Sequence, residues 1–271
     1  MSVPYYTAPG VNLYLGDCTE IMSSLPDNSI DAIVTSPPYA EQRKTTYGGI
    51  SEAAYPSFTV AWMNEAMRLL KADGSAIINI SPHIHKGQLS DYVLRTRLAL
   101  RDAGWTEVAE MIWHKHNGMP TGSRYKPRRS WESLLWYAKH GQPYSDAKAN
   151  GRPTSYPTNV KKSSAAQLGW SHHVVGGQTS PTVARCSDVV SIPINEHVDG
   201  MRHPAKYPVA LAEWCGKLIT PAGGTILDPF NGSGTTGVAA LRNGWQYVGI
   251  DNVEEYVAGT QERLERAATN G

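Results

Sequence analysis

The 271-residue sequence lacks the features that define membrane-bound, disulfide-rich and zinc-binding proteins. Its three cysteines, Cys18, Cys186 and Cys215, are widely spaced and form no CxxC pair. This spacing argues against a disulfide scaffold or a zinc site and favours a reducing compartment, so we expect a cytoplasmic protein. No apolar run approaches the ~20 residues of a membrane span. The first residues show no basic stretch followed by an apolar one, so we expect no signal peptide.

Carboxylates are scarce between residues 111 and 187. That segment has two acidic residues, Glu132 and Asp146, and eleven basic ones. The net charge is only +1, so the rest of the chain is acidic overall. Segregated positive charge is typical of a polyanion-binding surface. The alternative is a basic surface without a partner. The basic residues are Lys115, Arg124, Lys126, Arg128, Arg129, Lys139, Lys148, Arg152, Lys161, Lys162 and Arg185.

Short apolar strands alternate with amphipathic helices along most of the chain. This alternation predicts an α/β fold with a mostly parallel sheet and helices on both faces. Residues 141–200 interrupt it, because they are rich in Gly, Pro, Ser, Thr and Asn, and we expect them to form an inserted, loop-rich lobe. We predict strands at 11–17, 30–35, 75–80, 105–113, 133–138, 225–228 and 246–251, and helices at 19–25, 58–70, 89–103, 208–219, 234–243 and 253–267.

A proline-rich turn follows the strand predicted at 30–35. Two prolines end that strand, fix two φ angles and remove two N–H donors. The carbonyls of so rigid a turn stay out of helices and can face a pocket, where Ser36 adds a hydroxyl acceptor and Tyr39 an aromatic face. The turn suits a planar ring that carries an amino group. The alternative is an ordinary turn in which Tyr39 only packs against its neighbours. It reads Thr35-Ser36-Pro37-Pro38-Tyr39.

A glycine-rich turn follows the strand predicted at 225–228. Glycine lacks a Cβ, so a ligand can approach the backbone closely there, and the first N–H groups of the next helix face the same space. One strand later, Asp251 is placed to bind the hydroxyls of a ribose. The carboxyl ends of parallel strands meet at one edge of a sheet, so Asp17, Ser36, Asp228 and Asp251 should lie along that edge. The turn reads Asp228-Pro229-Phe230-Asn231-Gly232-Ser233-Gly234-Thr235-Thr236.

Residues 232–237 also fit the G-x-G-x-x-G pattern of dinucleotide-binding proteins. In that pattern the first glycine directly follows the strand, and the pyrophosphate meets the helix N-terminus. Here Asp228 and three further residues intervene, with a carboxylate that we expect to point into the site. A carboxylate repels pyrophosphate but attracts an ammonium group. S-adenosylmethionine, which has an ammonium group and a ribose but no phosphate, therefore fits better than a nicotinamide or flavin.

Both turns resemble motifs of the amino-methylating DNA methyltransferases. The first is similar to their catalytic motif, (Ser/Asp/Asn)-Pro-Pro-(Tyr/Phe), and the second to their S-adenosylmethionine loop, Asp-Pro-Phe-x-Gly-x-Gly-Thr. The element His203-Pro204-Ala205-Lys206-Tyr207-Pro208 looks like the family's His-Pro-x-x-Lys-Pro, except that Tyr207 separates Lys206 from Pro208. The order of the motifs, with the basic lobe between them, resembles the β class of these enzymes.

The resemblance implies a circularly permuted S-adenosylmethionine-dependent methyltransferase fold with a Rossmann-like sheet. Residues 1–140 would form its catalytic half, 141–200 a target-recognition lobe and 201–271 its cofactor-binding half. The catalytic residues would be Ser36, Pro37, Pro38 and Tyr39. The cofactor-binding residues would be Asp17, Thr35, His203, Pro204, Lys206, Asp228, Pro229, Phe230, Gly232, Ser233, Gly234, Thr235 and Asp251. The DNA-binding residues would be Lys115, Arg124, Lys126, Arg128, Arg129, Arg152, Lys161 and Lys162.

The implied activity is methyl transfer to an amino group of a flipped-out base in double-stranded DNA. Serine at position 36 favours N4 of cytosine, because adenine N6 enzymes of the family more often carry Asp or Asn there; adenine N6 stays the alternative. Methylation of carbon 5 needs a thiolate, usually after a proline, and no cysteine here follows one. An inactive DNA-binding relative and an RNA or protein methyltransferase also stay open. We expect no metal and no membrane contact, a monomer or homodimer, and possible pairing with a separate restriction endonuclease.

Overall fold

The computed structural model describes residues 2–41, 49–85, 87–117, 125–153, 183–194 and 207–269. Within these ranges the chain alternates between strands and helices, as the sequence predicts. The strands are β1 (Tyr6–Ala8), β2 (Val11–Leu15), β3 (Ile30–Thr35), β4 (Leu70–Ile80), β5 (Ile84–His85), β6 (Gln88–Leu89), β7 (Thr106–His114), β8 (Trp131–Ala138), β9 (Val189–Ser191), β10 (Thr225–Asp228) and β11 (Gln246–Asp251). The helices are α1 (Cys18–Ser23), α2 (Tyr55–Leu69), α3 (Tyr92–Asp102), α4 (Val209–Ile219), α5 (Thr235–Arg242) and α6 (Glu254–Thr269).

Nine of the described strands form one sheet, in the order β1-β2-β11-β10-β3-β4-β8-β7-β9. The central strands β2, β11, β10, β3 and β4 are parallel to their neighbours. β1 is antiparallel to β2 at one end of the sheet, and β8 is antiparallel to both β4 and β7 towards the other. The predicted α/β class is therefore confirmed, as a mixed sheet whose parallel part carries both motif turns.

Helices cover both faces of the sheet, which is why its central strands read as continuous apolar runs. Ile33 of β3 packs in the cluster that contains Trp62 of α2. Its neighbour Val34 points to the opposite face, into the cluster that contains Leu218 of α4. Side chains alternate between faces along a strand, so β3 is buried along its whole length and its end is held in place.

Three short elements were not predicted. They are β1, the hairpin of β5 and β6, and β9, which lies inside the segment expected to be an irregular lobe. β9 has only three residues and pairs with β7, which lies far away in the sequence. Strands this short have no readable period, and for β9 a partner far away in the sequence decides whether the strand forms. In the described residues no helix is long and apolar enough to cross a membrane.

Candidate active site

The proline-rich turn leaves the sheet at the carboxyl end of β3. Thr35 is the last residue of the strand and is buried, and Pro37 is buried just beyond it. Ser36 and Tyr39 are partly exposed. The two prolines end the strand as expected, and they leave a hydroxyl and an aromatic ring at the edge of the sheet.

Asp228 joins this turn to the glycine-rich turn. The Thr35 hydroxyl donates to Asp228 Oδ1 over 2.6 Å, and the Thr236 hydroxyl donates to Oδ2 over 2.7 Å. The backbone N–H of Phe230 also donates to Oδ1, over 3.1 Å. Both carboxylate oxygens are thus used inside the protein, and Asp228 is only 1% exposed rather than pointing into open space as we expected. The two motifs, 193 residues apart in sequence, are in direct contact.

Burial raises the pKa of Asp228 to about 6. Hydrogen bonds from Thr35, Thr236 and the Phe230 amide act in the opposite direction, because they favour the ionised form, while the negative charge of Asp251 adds to the rise. The carboxylate is therefore mostly ionised at neutral pH, although burial disfavours its charged form.

The glycine turn has a backbone shape that other residues rarely adopt. Gly232 and Gly234 have φ angles of 52° and 72°, in the left-handed region. A Cβ on Gly234 would also lie 2.5 Å from Cγ2 of Thr260, on helix α6. The Arg263 guanidinium, buried in the same helix, donates to the carbonyl of Ser233 over 2.8 Å. Helix α6 therefore packs against the glycine turn and holds its backbone in place.

Two further acids lie at the ends of adjacent parallel strands. Asp251 ends β11, and its oxygens accept from the N–H groups of Gly232 (2.7 Å) and Val253 (3.0 Å). Asp17 follows β2 and caps helix α1, where its Oδ1 accepts from the N–H of Thr19 over 2.8 Å. Burial alone would raise the pKa of Asp17, but these capping hydrogen bonds outweigh it and hold the pKa below its ordinary value.

All four predicted strand-end residues thus fall at one edge of the sheet. The strand order β2-β11-β10-β3 sets Asp17, Asp251, Asp228 and Ser36 side by side. The backbone link from Gly16 N to Asp251 O, 2.9 Å long, joins the first two. The prediction that these four residues lie along one edge of the sheet is confirmed.

Aromatic side chains wall the site next to the glycine turn. The Phe230 ring lies 5.3 Å from the Trp62 ring, edge to face, and 5.9 Å from the Phe58 ring. Tyr207 closes another side, since its hydroxyl is hydrogen-bonded to that of Thr236. The residue that departs from the family's spacing before Pro208 therefore supports the turn directly.

The Tyr39 hydroxyl is held by groups that the sequence did not reveal. It donates to Oε2 of Glu132 over 2.8 Å. The Asn79 amide donates to the same oxygen over 2.9 Å and to the Tyr39 hydroxyl over 3.2 Å. Lys115 donates to the other oxygen, Oε1, over 2.6 Å. We name these four residues the Tyr39 network.

The predicted DNA-binding residues fall into different environments. Lys115 is only 17% exposed and pairs with Glu132, so it is not a free surface cation. Arg129 is partly buried and donates to the Ser81 hydroxyl over 3.1 Å. Lys126 donates to the carbonyl of Gly87 over 2.8 Å, at the tip of the β5–β6 hairpin. Arg128 is exposed beside them, so this group lies at the edge of the sheet formed by the carboxyl ends of the parallel strands.

Arg152 lies on a different segment. It is exposed, and the segment is held against α4 by hydrogen bonds from Asp146 N to Leu218 O (2.8 Å) and from Asn150 Nδ2 to Trp214 O (2.7 Å). No described contact joins it to the proline-rich turn. Six predicted residues lie outside the described residues: Arg124, Lys161, Lys162, His203, Pro204 and Lys206.

The supporting residues that sequence reasoning missed share one signal. Arg263, Glu132 and Asn79 are polar residues that interrupt otherwise apolar faces of a helix or strand, and each is buried or nearly so. A buried charge or amide must be hydrogen-bonded, so an unmatched polar residue on a core face indicates a partner. The sequence could have flagged them, but only the fold supplies the partners.

Comparison with known proteins supports the resemblance of the two turns to DNA methyltransferase motifs. The N6/N4 methyltransferase family model, described as DNA methylase, matches residues 30–262. The chain is 31% identical to the type II methyltransferase M.ScaI of Streptomyces caespitosus, over 98% of this chain and 84% of that protein. It is 26% identical to the type II methyltransferase M.PvuII of Proteus hauseri, over 96% of this chain and 85% of that protein.

Two solved structures share the fold. The structure of PvuII DNA methyltransferase, described as cytosine-N4-specific, has a TM-score of 0.76 at 23% identity, covering 99% of this chain and 93% of that one. A Thermus thermophilus protein complexed with S-adenosyl-L-methionine has a TM-score of 0.63 at 22% identity, covering 96% of each chain. The match of the family model over most of the chain, together with the geometry of the two joined turns, shows that this chain belongs to the DNA methylase family.

Proposed function

We propose that the protein transfers a methyl group from S-adenosylmethionine to the exocyclic N4 of cytosine in double-stranded DNA. One observation carries the proposal: Asp228 bonds Thr35 and Thr236 at once, which sets the base-binding turn against the glycine turn. A methyl group can pass directly between two molecules only when their binding sites adjoin. Serine at position 36 and the similarity to a cytosine-N4-specific enzyme support N4 over adenine N6.

The residues at the site edge fit S-adenosylmethionine. Asp251 and Asp17 are carboxylates at adjacent strand ends, suited to ribose hydroxyls and to an adenine amino group. The N–H groups of Gly232 and Val253 hold the Asp251 carboxylate in place at the end of β11. The bare backbone of Gly232 and the Phe230 ring offer a close approach and an apolar wall. When bound, the cofactor supplies an electrophilic methyl group on a sulfonium.

The proline-rich turn would prepare the base. An exocyclic amino nitrogen is a poor nucleophile because its lone pair is delocalised into the ring. The Ser36 hydroxyl and the Pro37 carbonyl would accept its two hydrogens, which favours a pyramidal nitrogen with an available lone pair. The reacting atom is inaccessible in a duplex, so the base must be flipped out, and the Tyr39 ring would hold it by stacking.

The DNA would lie across the carboxyl edge of the sheet. Lys126, Arg128 and Arg129 stand at that edge beside the proline-rich turn, and phosphate contacts from such residues position the duplex without reading its sequence. By residue type, Arg124, Lys161 and Lys162 are further candidates for phosphate contacts. Sequence reading is assigned to the lobe at 141–200, between a catalytic half at 1–140 and a cofactor-binding half at 201–271. A cytoplasmic monomer or homodimer, with any cognate nuclease acting separately, completes the proposal.

Incubation with methyl-labelled S-adenosylmethionine and duplex DNA, followed by digestion to nucleosides and mass spectrometry, tests this directly. We expect N4-methylcytosine. N6-methyladenine instead would support the alternative base, and labelled RNA or protein without labelled DNA would contradict the proposal.

The variant Ser36→Ala separates chemistry from cofactor binding. Loss of one acceptor at the reacting amino group should lower kcat on the order of 100-fold. Its affinity for S-adenosylmethionine, measured by calorimetry, should stay within twofold of the wild type. An unchanged kcat would remove Ser36 from the reaction.

A further inference from the structure

The Tyr39 network places a carboxylate directly behind the proline-rich turn. Glu132 Oε2 lies 2.8 Å from the Tyr39 hydroxyl, although 93 residues separate them in sequence. Asn79 bridges the two groups, so three polar side chains form a closed triangle. The hydroxyl of Tyr39 is thus fixed by two partners from two different strands.

The network keeps its charge balanced inside the protein. The Glu132 side chain is only 13% exposed, and a carboxylate in such a place needs a cation or several donors. Lys115 provides the cation at 2.6 Å and itself lies 5.2 Å from the centre of the Trp113 ring. Glu132 is therefore paired with Lys115 through Oε1 and accepts from the Tyr39 hydroxyl through Oε2.

The tyrosine is held as a neutral donor. Burial raises the pKa of Tyr39 well above its ordinary value, and the charge of Glu132 adds to the rise. The Ser36 side chain acts in the opposite direction, but burial and Glu132 outweigh it.

A phenol ring fixed at both ends cannot swing. Its Cβ is held by a backbone beside two prolines, whose φ angles are restricted, and its hydroxyl is held by Glu132 and Asn79. The side chain has two rotatable bonds between these ends. Because both are already fixed, the ring loses little rotamer freedom when a base stacks on it. The hydroxyl is used for hydrogen bonds, and the side chain, which packs against the core cluster on one side, remains partly exposed.

We propose that Glu132 is a positioning residue of this enzyme: through Tyr39 it fixes the ring on which the extruded base stacks. This inference rests on the proposed function, because it needs a flipped base at the proline-rich turn. Glu132 would act only through Tyr39, and Lys115 pairs with Glu132, which is a different task from the phosphate contact that the sequence predicted for that lysine.

The chain offers a matched control for this role. Glu107 on β7 also forms a partly buried ion pair, with Arg97 Nε at 2.7 Å, and its side chain is 12% exposed against 13% for Glu132. No described contact links it to the proline-rich turn. A purely structural role would make Glu107→Gln and Glu132→Gln equivalent in every assay.

The experiment compares Glu132→Gln, Tyr39→Phe, their double variant and Glu107→Gln on duplexes that carry the recognition site mapped from methylated DNA. The first measurement is the ratio of affinities for two duplexes without cofactor turnover, one with the target base mispaired and one with the target position abasic. Only the mispaired duplex offers a base to stack, so the ratio reports the platform. The second measurement is kcat at saturating DNA and cofactor.

We expect Glu132→Gln and Tyr39→Phe each to lower the affinity ratio by about three- to tenfold and kcat by about 10- to 100-fold. The double variant should be no worse than the poorer single variant, because both changes release the same ring. Glu107→Gln should keep both quantities within twofold of the wild type. If Glu132→Gln does not fold, the pair Glu132→Met with Lys115→Met, which removes the acceptor together with its cation, carries the same expectation.

Three outcomes would overturn the inference: a Glu132→Gln variant within twofold of the wild type in both measurements, losses that multiply in the double variant, or equal losses in Glu107→Gln. Failure of the proposed function looks different. In that case the wild-type protein itself would yield no methylated nucleoside and would bind the mispaired and abasic duplexes equally.

Discussion

The buried carboxylate of Asp228 should make the stability of the ligand-free protein fall as pH rises. Its pKa is about 6 in the folded protein, against 3.8 ordinarily, chiefly because of burial. Between these values the folded state keeps a proton that the unfolded state has lost, so protonation stabilises the fold. The stabilisation is complete below pH 3.8 and disappears as pH rises past about 6.

The size of the effect follows from the pKa difference. A rise from 3.8 to about 6 corresponds to roughly 3 kcal/mol in the free energy of unfolding. Asp17 does not mask it, because its pKa is lowered and its contribution changes only below its ordinary pKa of 3.8. The variant Asp228→Asn cannot ionise, yet its amide oxygen can still accept from Thr35 and from the Phe230 N–H. The unfolding free energy of Asp228→Asn should therefore not show the decrease with rising pH that Asp228 causes in the wild type.

The assay is denaturant unfolding of the ligand-free protein from pH 4.5 to pH 8. The difference in unfolding free energy between the wild type and Asp228→Asn should change by about 2 kcal/mol over that range in favour of the variant. Asp31→Asn is the control, since Asp31 is another buried carboxylate, paired with Lys71 at the start of β3. Asp31→Asn should show the same decrease in unfolding free energy with rising pH as the wild type. A difference for Asp228→Asn that is constant with pH would refute the reasoning.

Three further predictions concern the turn behind the site and the thiols. Gly234→Ala places a Cβ 2.5 Å from Thr260 in a left-handed backbone, so it should destabilise the protein by about 1–3 kcal/mol in denaturant unfolding and weaken S-adenosylmethionine binding in calorimetry; affinity equal to the wild type would contradict this. Arg263→Met removes a buried donor to the glycine turn, and we expect a loss of about 1.5–3 kcal/mol in unfolding free energy, whereas an unchanged value would show that the turn needs no support from α6. Burial raises the pKa of the Cys18 thiol to about 12, so a disulfide reagent at pH 8 should modify the partly exposed Cys186 first; simultaneous reaction in the native protein would contradict the buried position of Cys18.

Local sequence pattern predicted both turns well. Each is a strand, a change of backbone direction and a helix or loop, and the residues that decide it are neighbours in sequence. The two prolines end β3 by removing donors, and the glycines after Asp228 permit positive φ angles that other residues resist. The rule that ligands bind at the carboxyl ends of parallel strands then predicts that the two turns lie close together.

The role of Asp228 could not be predicted in the same way. Its position after β10 indicated a carboxylate facing a ligand, but the structure has both oxygens bonded to hydroxyls of Thr35 and Thr236. Lys115 is a similar case, because charge segregation marked it for DNA phosphates and Glu132 holds it instead. In each case the deciding partner lies elsewhere in the chain, and sequence proximity gives no information about it.

The sequence by itself determined which chemistry the protein carries: a hydroxyl and an aromatic ring after two prolines, and carboxylates and glycines at strand ends, because these depend on residue type and local backbone. Only the tertiary structure decided how those groups are held. Arg263 fixes the glycine turn from α6, and Glu132 fixes Tyr39 from β8. The reason is physical: a buried polar group must find its hydrogen-bond partner in space, and the folded sheet alone determines which distant residues become neighbours.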